Sequence, residues 1–205
     1  MKKGFTLAEI LITLGIVGVV AALTLPGVVM SYQKKVYVAQ LQRIYNQFVN
    51  GTKAVMSENG VDKLGELESG VRGGASFLNK ILTVARVASP GQALATSYKS
   101  LDSDKTISVG TNGEEKGLLY CAVVDTGASV CMYNISTAGY STVYVDLNGP
   151  NKPNVIGRDF YSFSLTPTGK IEASASKDKC TGASKLSAGA YCLGTVRGYN
   201  WTMDY

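Results

Sequence analysis

No charged residue lies between Glu9 and Lys34, and within that span Ile10 to Met30, ILITLGIVGVVAALTLPGVVM, is twenty-one residues of uninterrupted low polarity. A helix of that length crosses the ~30 Å hydrocarbon layer of a bilayer. The rest of a 205-residue chain then has room for one soluble domain of ordinary size and not for two. A cleaved secretory signal fits poorly. The run is too long, lacks a small-x-small cleavage site at its end, and continues into an amphipathic pattern. An ordinary uncleaved signal anchor explains everything except Gly4 and Glu9.

Glu9 is the anomaly. Placing a charged side chain in a membrane helix costs roughly 2.5 to over 10 kcal/mol near the bilayer centre, and residues that bear this cost usually mark a function. A carboxylate there calls for a cation, and a chain-terminal α-amine near it in sequence would supply one. Such an amine is largely cationic at neutral pH and a natural partner for the Glu9 carboxylate in apolar surroundings. The partner amine can belong to the same chain or to a neighbouring copy.

The opening Lys2-Lys3-Gly4-Phe5-Thr6-Leu7-Ala8-Glu9, followed by the apolar helix, resembles the precursors of type IV pilins and of type II secretion pseudopilins across Lys2 to Leu25. The resemblance implies that residues 1–4 are a leader removed by a membrane-embedded prepilin peptidase, which cuts between Gly4 and Phe5 and methylates the Phe5 amine. It further implies that residues 5–30 form the transmembrane and assembly helix, with Glu9 of an incoming subunit neutralising Phe5 of one already in the fibre. Pro26 removes a helical hydrogen bond and crowds the preceding turn. It is similar to the proline at which pilin helices bend or locally melt in the fibre, although a plain structural kink explains it equally well. Gly15 and Gly18 permit close helix approach, a weak signal on its own. The implied partners are the peptidase, other pilin subunits, the inner membrane, and an assembly platform with its ATPase. The implied location is the bacterial inner membrane, single-pass, with the head extracytoplasmic, before entry into a filament.

Past Lys34 and Lys35 the apolar residues Tyr37, Leu41, Ile44, Phe48 and Val55 return at helical spacing, which predicts an amphipathic continuation over 31–58. Asn59-Gly60 supplies a stop. Residues 59–205 then form the head. Residues 61–75 read as a loop. Phe77, Leu78, Ile81, Leu82 and Ala85 predict a short helix capped by Ser76, and from 105 to about 173 short β-branched and aromatic runs separated by turns such as Thr111-Asn112-Gly113 and Pro167-Thr168-Gly169 predict an antiparallel sheet. The expected class is α+β and pilin-like: a long N-terminal helix, its first half in the membrane, on a small sheet head with disulfides.

Four cysteines, an even number, all lie beyond the apolar segment, which points to disulfides in an oxidising compartment. Of the three possible pairings, Cys121–Cys131 and Cys180–Cys192 close the shortest loops. The second would bound a C-terminal region over 174–205 that looks like the disulfide-bounded region of many pilins, where subunit surfaces vary. CxxC-like metal spacing is absent. Asp146, Asn148 and Asp159 lie in a loop that also looks like part of some bacterial pilin-like heads. They are the residues to test for calcium, yet the stretch lacks EF-hand spacing, and turn chemistry is the stronger reading. No other cofactor is expected. Trp201 and Tyr205 are expected to cap the core.

The chain has no histidine, which removes Ser-His-Asp and Cys-His catalysis together with imidazole-ligated zinc. No enzymatic constellation stands out in its place. The net charge of +5 includes the leader's Lys2 and Lys3, and the remaining basic residues are scattered, so a nucleic-acid-binding stripe is absent. Three Asn-x-Ser/Thr triplets, at Asn50, Asn134 and Asn200, carry little weight in a chain that looks bacterial. A pilin or minor pilin is the leading expectation, mildly favoured by the cysteines. A secretion pseudopilin comes next, and a pilin-like DNA- or surface-binding module last.

Overall fold

The computed structural model describes Gly4, residues 6–109 and residues 119–205. Phe5 and the Thr111-Asn112-Gly113 turn lie outside the described residues. The chain divides into two compact units, Met1–Val36 and Tyr37–Tyr205. In the first, helix α1 (Leu7–Glu58) begins, and no side chain from Leu7 to Met30 is buried. The helical assignment runs through Pro26 without a break. Thr13 and Thr24 return their hydroxyls to the carbonyls of Ile10 and Val20 at 3.0 and 2.9 Å, so these polar groups are satisfied within the helix.

In the second unit the remainder of α1 buries Val38, Leu41, Ile44, Phe48, Thr52 and Val55. These spacings of three and four draw one stripe along the helix. Thr52 fills the gap that the apolar pattern leaves between Phe48 and Val55. Tyr37 is only half-buried. The helix stops as its sequence dictates. Gly60 takes φ +63°, its N–H donates to Ser57 O at 3.2 Å, and Val61 N–H donates to Met56 O at 3.1 Å. This is a Schellman closure, for which the left-handed residue is usually glycine.

Residues 61–73 are not a plain loop. They hold a 3-10 turn at Leu64–Glu66 and a short helix α2 (Ser69–Arg72). Helix α3 (Gly74–Ile81) starts ahead of Ser76, with Gly73 as its N-cap residue. Its first N–H is met from far away: Gly74 N–H donates to Asn134 Oδ1 at 2.7 Å. Leu82 and Ala85 fall beyond this helix, and Ala85 belongs to strand β1 (Val84–Ala88).

The main sheet therefore starts at Val84, well ahead of residue 105. Its other members are β4 (Leu119–Val124), β5 (Ser129–Tyr133), β6 (Ser141–Asp146), β7 (Phe160–Leu165) and β8 (Ile171–Glu172). The order is β1-β4-β5-β6-β7-β8, antiparallel throughout. The residues near 105 form a separate ribbon, β2 (Ser97–Lys99) with β3 (Thr106–Ser108). Register partners share a face. Met132, Val143 and Phe163 thus line one side, where Phe163 meets Phe48 of α1 edge-on at 5.0 Å. Cys131, Tyr144 and Ser162 line the other. There Tyr98 of the β2–β3 ribbon packs on Phe160 at 4.2 Å.

With both faces covered, the central strands are buried almost end to end, and their sequences do not alternate. Helix α4 (Pro90–Ala93), between β1 and β2, covers β4, and the C-terminal region is helical, with α5 (Lys177–Thr181) packed on α6 (Gly189–Gly198) and α6 on β7.

Candidate functional site

Two places in the chain carry unusual polar chemistry: the start of α1, and the loop between β6 and β7. At the first, Glu9 Oε2 accepts the Thr6 N–H at 2.8 Å and the Thr6 hydroxyl at 2.9 Å, while Glu9 N–H donates back to Thr6 Oγ1 at 3.3 Å. A threonine followed three residues later by a glutamate is the capping-box spacing. The two side chains satisfy orphan donors of the first turn, and the carboxylate sits at the positive end of the helix. Glu9 Oε1 accepts no hydrogen bond among the described residues. One oxygen of the acid is thus engaged by its own helix, and the other has no donor among the described residues. Gly4 is exposed, with nothing near the position a Cβ would take. Sequence reading singled out Glu9 and passed over Thr6, although the Thr-x-x-Glu spacing was the available signal.

At the second place, Asp146 and Asp159 are both fully buried. Asp146 Oδ2 accepts the Tyr98 hydroxyl at 2.5 Å, and Oδ1 accepts Asn148 N–H at 3.3 Å. Asp159 Oδ2 and Oδ1 accept the N–H groups of Asn154 and Val155 at 2.8 and 2.6 Å. Asn148 ties down the turn by donating to the carbonyls of Asn151 and Lys152 at 2.8 and 2.9 Å. Each carboxylate oxygen therefore has a protein donor. No group of three or more acidic, cysteine or histidine side chains that could hold a metal occurs among the described residues. Burial pushes the Asp146 carboxyl up to about 8, against the pull of the Tyr98 hydroxyl, and burial raises Asp159 as well. The loop is built as a buried polar brace between the β2–β3 ribbon and the sheet.

The disulfides are Cys121–Cys131 and Cys180–Cys192. The first joins register partners on adjacent strands. The second ties α5 to α6 beside Gly157, where a Cβ would stand 2.8 Å from Cys192 Sγ. The Gly157 carbonyl accepts the hydroxyls of Tyr161 and Tyr205 at 2.7 and 2.8 Å. Trp201 is half-buried, edge-on to Tyr45 at 5.4 Å, and Arg197 lies 4.6 Å from the same ring.

An apolar helix with its acid at the first turn, followed by a disulfide-bonded antiparallel head, is the layout of a pilin-like protein. The family model described as the prokaryotic N-terminal methylation motif matches residues 1–25, the signature of type IV pilins and pseudopilins. No curated protein and no solved structure matches the chain. The motif points to a structural subunit rather than an enzyme.

Proposed function

We propose that the chain is a pilin or minor pilin, cut between Gly4 and Phe5, methylated on Phe5, and polymerised through α1 into a type IV pilus-like filament. The observation that carries this reading is the Thr6–Glu9 box at the head of an apolar segment with no buried side chain. A helical segment with no buried side chain, too apolar for water, belongs first to lipid and then to neighbouring helices. Before assembly the subunit sits in the inner membrane with its disulfide-bonded head outside the cytoplasm. There the peptidase processes it, and an assembly platform with its ATPase draws it into the fibre. Glu9 Oε1 meets the methylated Phe5 amine of the neighbour. In an apolar setting, either charge left alone would be costly.

The motif fits a secretion pseudopilin equally well, and the two disulfides favour the pilus. Calcium in the Asp146, Asn148 and Asp159 loop is not part of the proposal, because the carboxylate oxygens there already serve the fold. A DNA-binding head is the weaker alternative, tested by salt-dependent retention of DNA.

Mass spectrometry of the mature amino terminus tests the processing step: methylated Phe5 supports it, and any other start overturns it. Glu9→Ala should abolish filaments while the head stays folded. Filaments at the normal level from Glu9→Ala would refute the assembly role.

A further inference from the structure

The three Asn-x-Ser/Thr triplets are equivalent in sequence and very different in the fold. At Asn50 the triplet lies inside α1. Thr52 is fully buried, and Gly51 is packed so closely on Ile81 that a Cβ would stand 2.6 Å from the Ile81 Cβ. At Asn134 the side-chain oxygen is committed to the Gly74 N–H. Ile135 is buried, and its N–H donates to Arg72 O at 3.0 Å. Neither triplet can be bent around an enzyme without opening the head.

The third triplet, Asn200-Trp201-Thr202, is built differently. It follows the end of α6, and Asn200 and Thr202 are both exposed. Their side chains make no hydrogen bond among the described residues. Asn200 and Trp201 both take left-handed backbone, φ +52° and +57°. Asparagine tolerates that region, whereas a bulky residue there is a true outlier, and such strain collects at functional positions. The strain is held by Trp201 N–H donating to Val196 O at 2.8 Å and by the Trp201 ring against Tyr45. The turn sets the middle residue against the head and leaves the amide and the hydroxyl on either side of it in the open.

We infer that Asn200 is an acceptor for N-linked glycosylation, with Thr202 as the hydroxyl that a transferase recognises. The donor class is an oligosaccharide on a polyprenyl pyrophosphate. Asn200 Nδ2 attacks the anomeric carbon, and the new N–C bond replaces the C–O bond to the pyrophosphate. The lipid pyrophosphate leaves with the electron pair, and one Nδ2 proton passes to a base of the transferase. No oxidation or reduction is involved. The inference rests on the extracytoplasmic placement of the head, but not on polymerisation.

The test uses the full chain purified from the membranes of its native host, with non-reducing peptide mapping. Cleavage after Arg197 releases a fragment that carries Asn200 and neither of the other two triplets. The expected result is a hexose- or N-acetylhexosamine-containing mass on that fragment, absent in Asn200→Gln and Thr202→Ala and retained in Thr202→Ser. Both disulfides should be present in every variant. A bare Asn200 with both disulfides formed overturns the inference alone. A bare Asn200 with reduced cysteines overturns it together with the extracytoplasmic placement. A glycan on Asn50 or Asn134 instead, or one that survives Thr202→Ala, overturns it as well.

Discussion

Residues 7–30 and residues 37–205 use apolar side chains in opposite ways. In the first region Leu7 and Leu23 stand 79% and 78% exposed, and none of their neighbours is buried; in the second Phe48, Phe77, Phe160 and Phe163 are all but completely buried. One region is finished by its own chain and the other is not. Damage to the head should therefore register as lost stability, and damage to the first turn of α1 as lost assembly with stability intact.

Phe48→Ala and Glu9→Ala break this comparison most sharply. Phe48→Ala should cost roughly 3–5 kcal/mol of head stability, read by denaturant unfolding of the soluble part, and it leaves processing at Gly4 unaltered. Glu9→Ala should do the reverse, with no filaments and an unchanged unfolding midpoint. If either variant moved both readouts together, the division between the regions would fail. Opening the Cys180–Cys192 bond by a double serine substitution comes next, at about 3 kcal/mol, and should loosen α5 and α6 before the sheet. Hydrogen exchange distinguishes these.

A pH titration gives a smaller effect. The Asp146 pKa is raised by burial from 3.8 to about 8. Between those values the folded head holds a proton that the unfolded chain has released. The stability from this group is then fully present below about pH 4 and is lost as pH rises towards 8. Asp146→Asn should flatten that slope in the unfolding midpoint; an unchanged slope would remove Asp146 as its source. The smallest effect belongs to Thr6→Ala, which removes the side-chain half of the capping box and should cost about 0.5–2 kcal/mol locally. It should reduce filament yield without abolishing it. Loss as complete as that of Glu9→Ala would mean that Thr6 does more than orient the acid.

What could be read in advance follows the same division. The apolar span, Glu9 and the packed stripe of α1 are local patterns with helical or membrane length, and they are legible as such. Strand β1 is not, because it is an edge strand whose Ala85, Arg86 and Val87 are all exposed, so it lacks the half-buried alternation that marks a strand. The start of α3 departs from its local sequence signal for a different reason. Its cap comes from Asn134, sixty residues away, and local capping rules favoured Ser76. The role of Asp146 was hidden in the same way, since its partner Tyr98 lies on a separate ribbon. For α3 and for Asp146 the deciding contact is long-range, and no window of sequence contains it.

The bond between Cys121 and Cys131 joins residues that already face each other across β4 and β5. In the filament proposed above, load carried by α1 would reach the sheet where Phe48 meets Phe163 on β7. Strands held only by hydrogen bonds can shear past one another, but β4 and β5 are covalently pinned and must travel as one plank. Under such a load the β6–β7 and β7–β8 ladders, which no disulfide crosses, would slip before β4 and β5 could part.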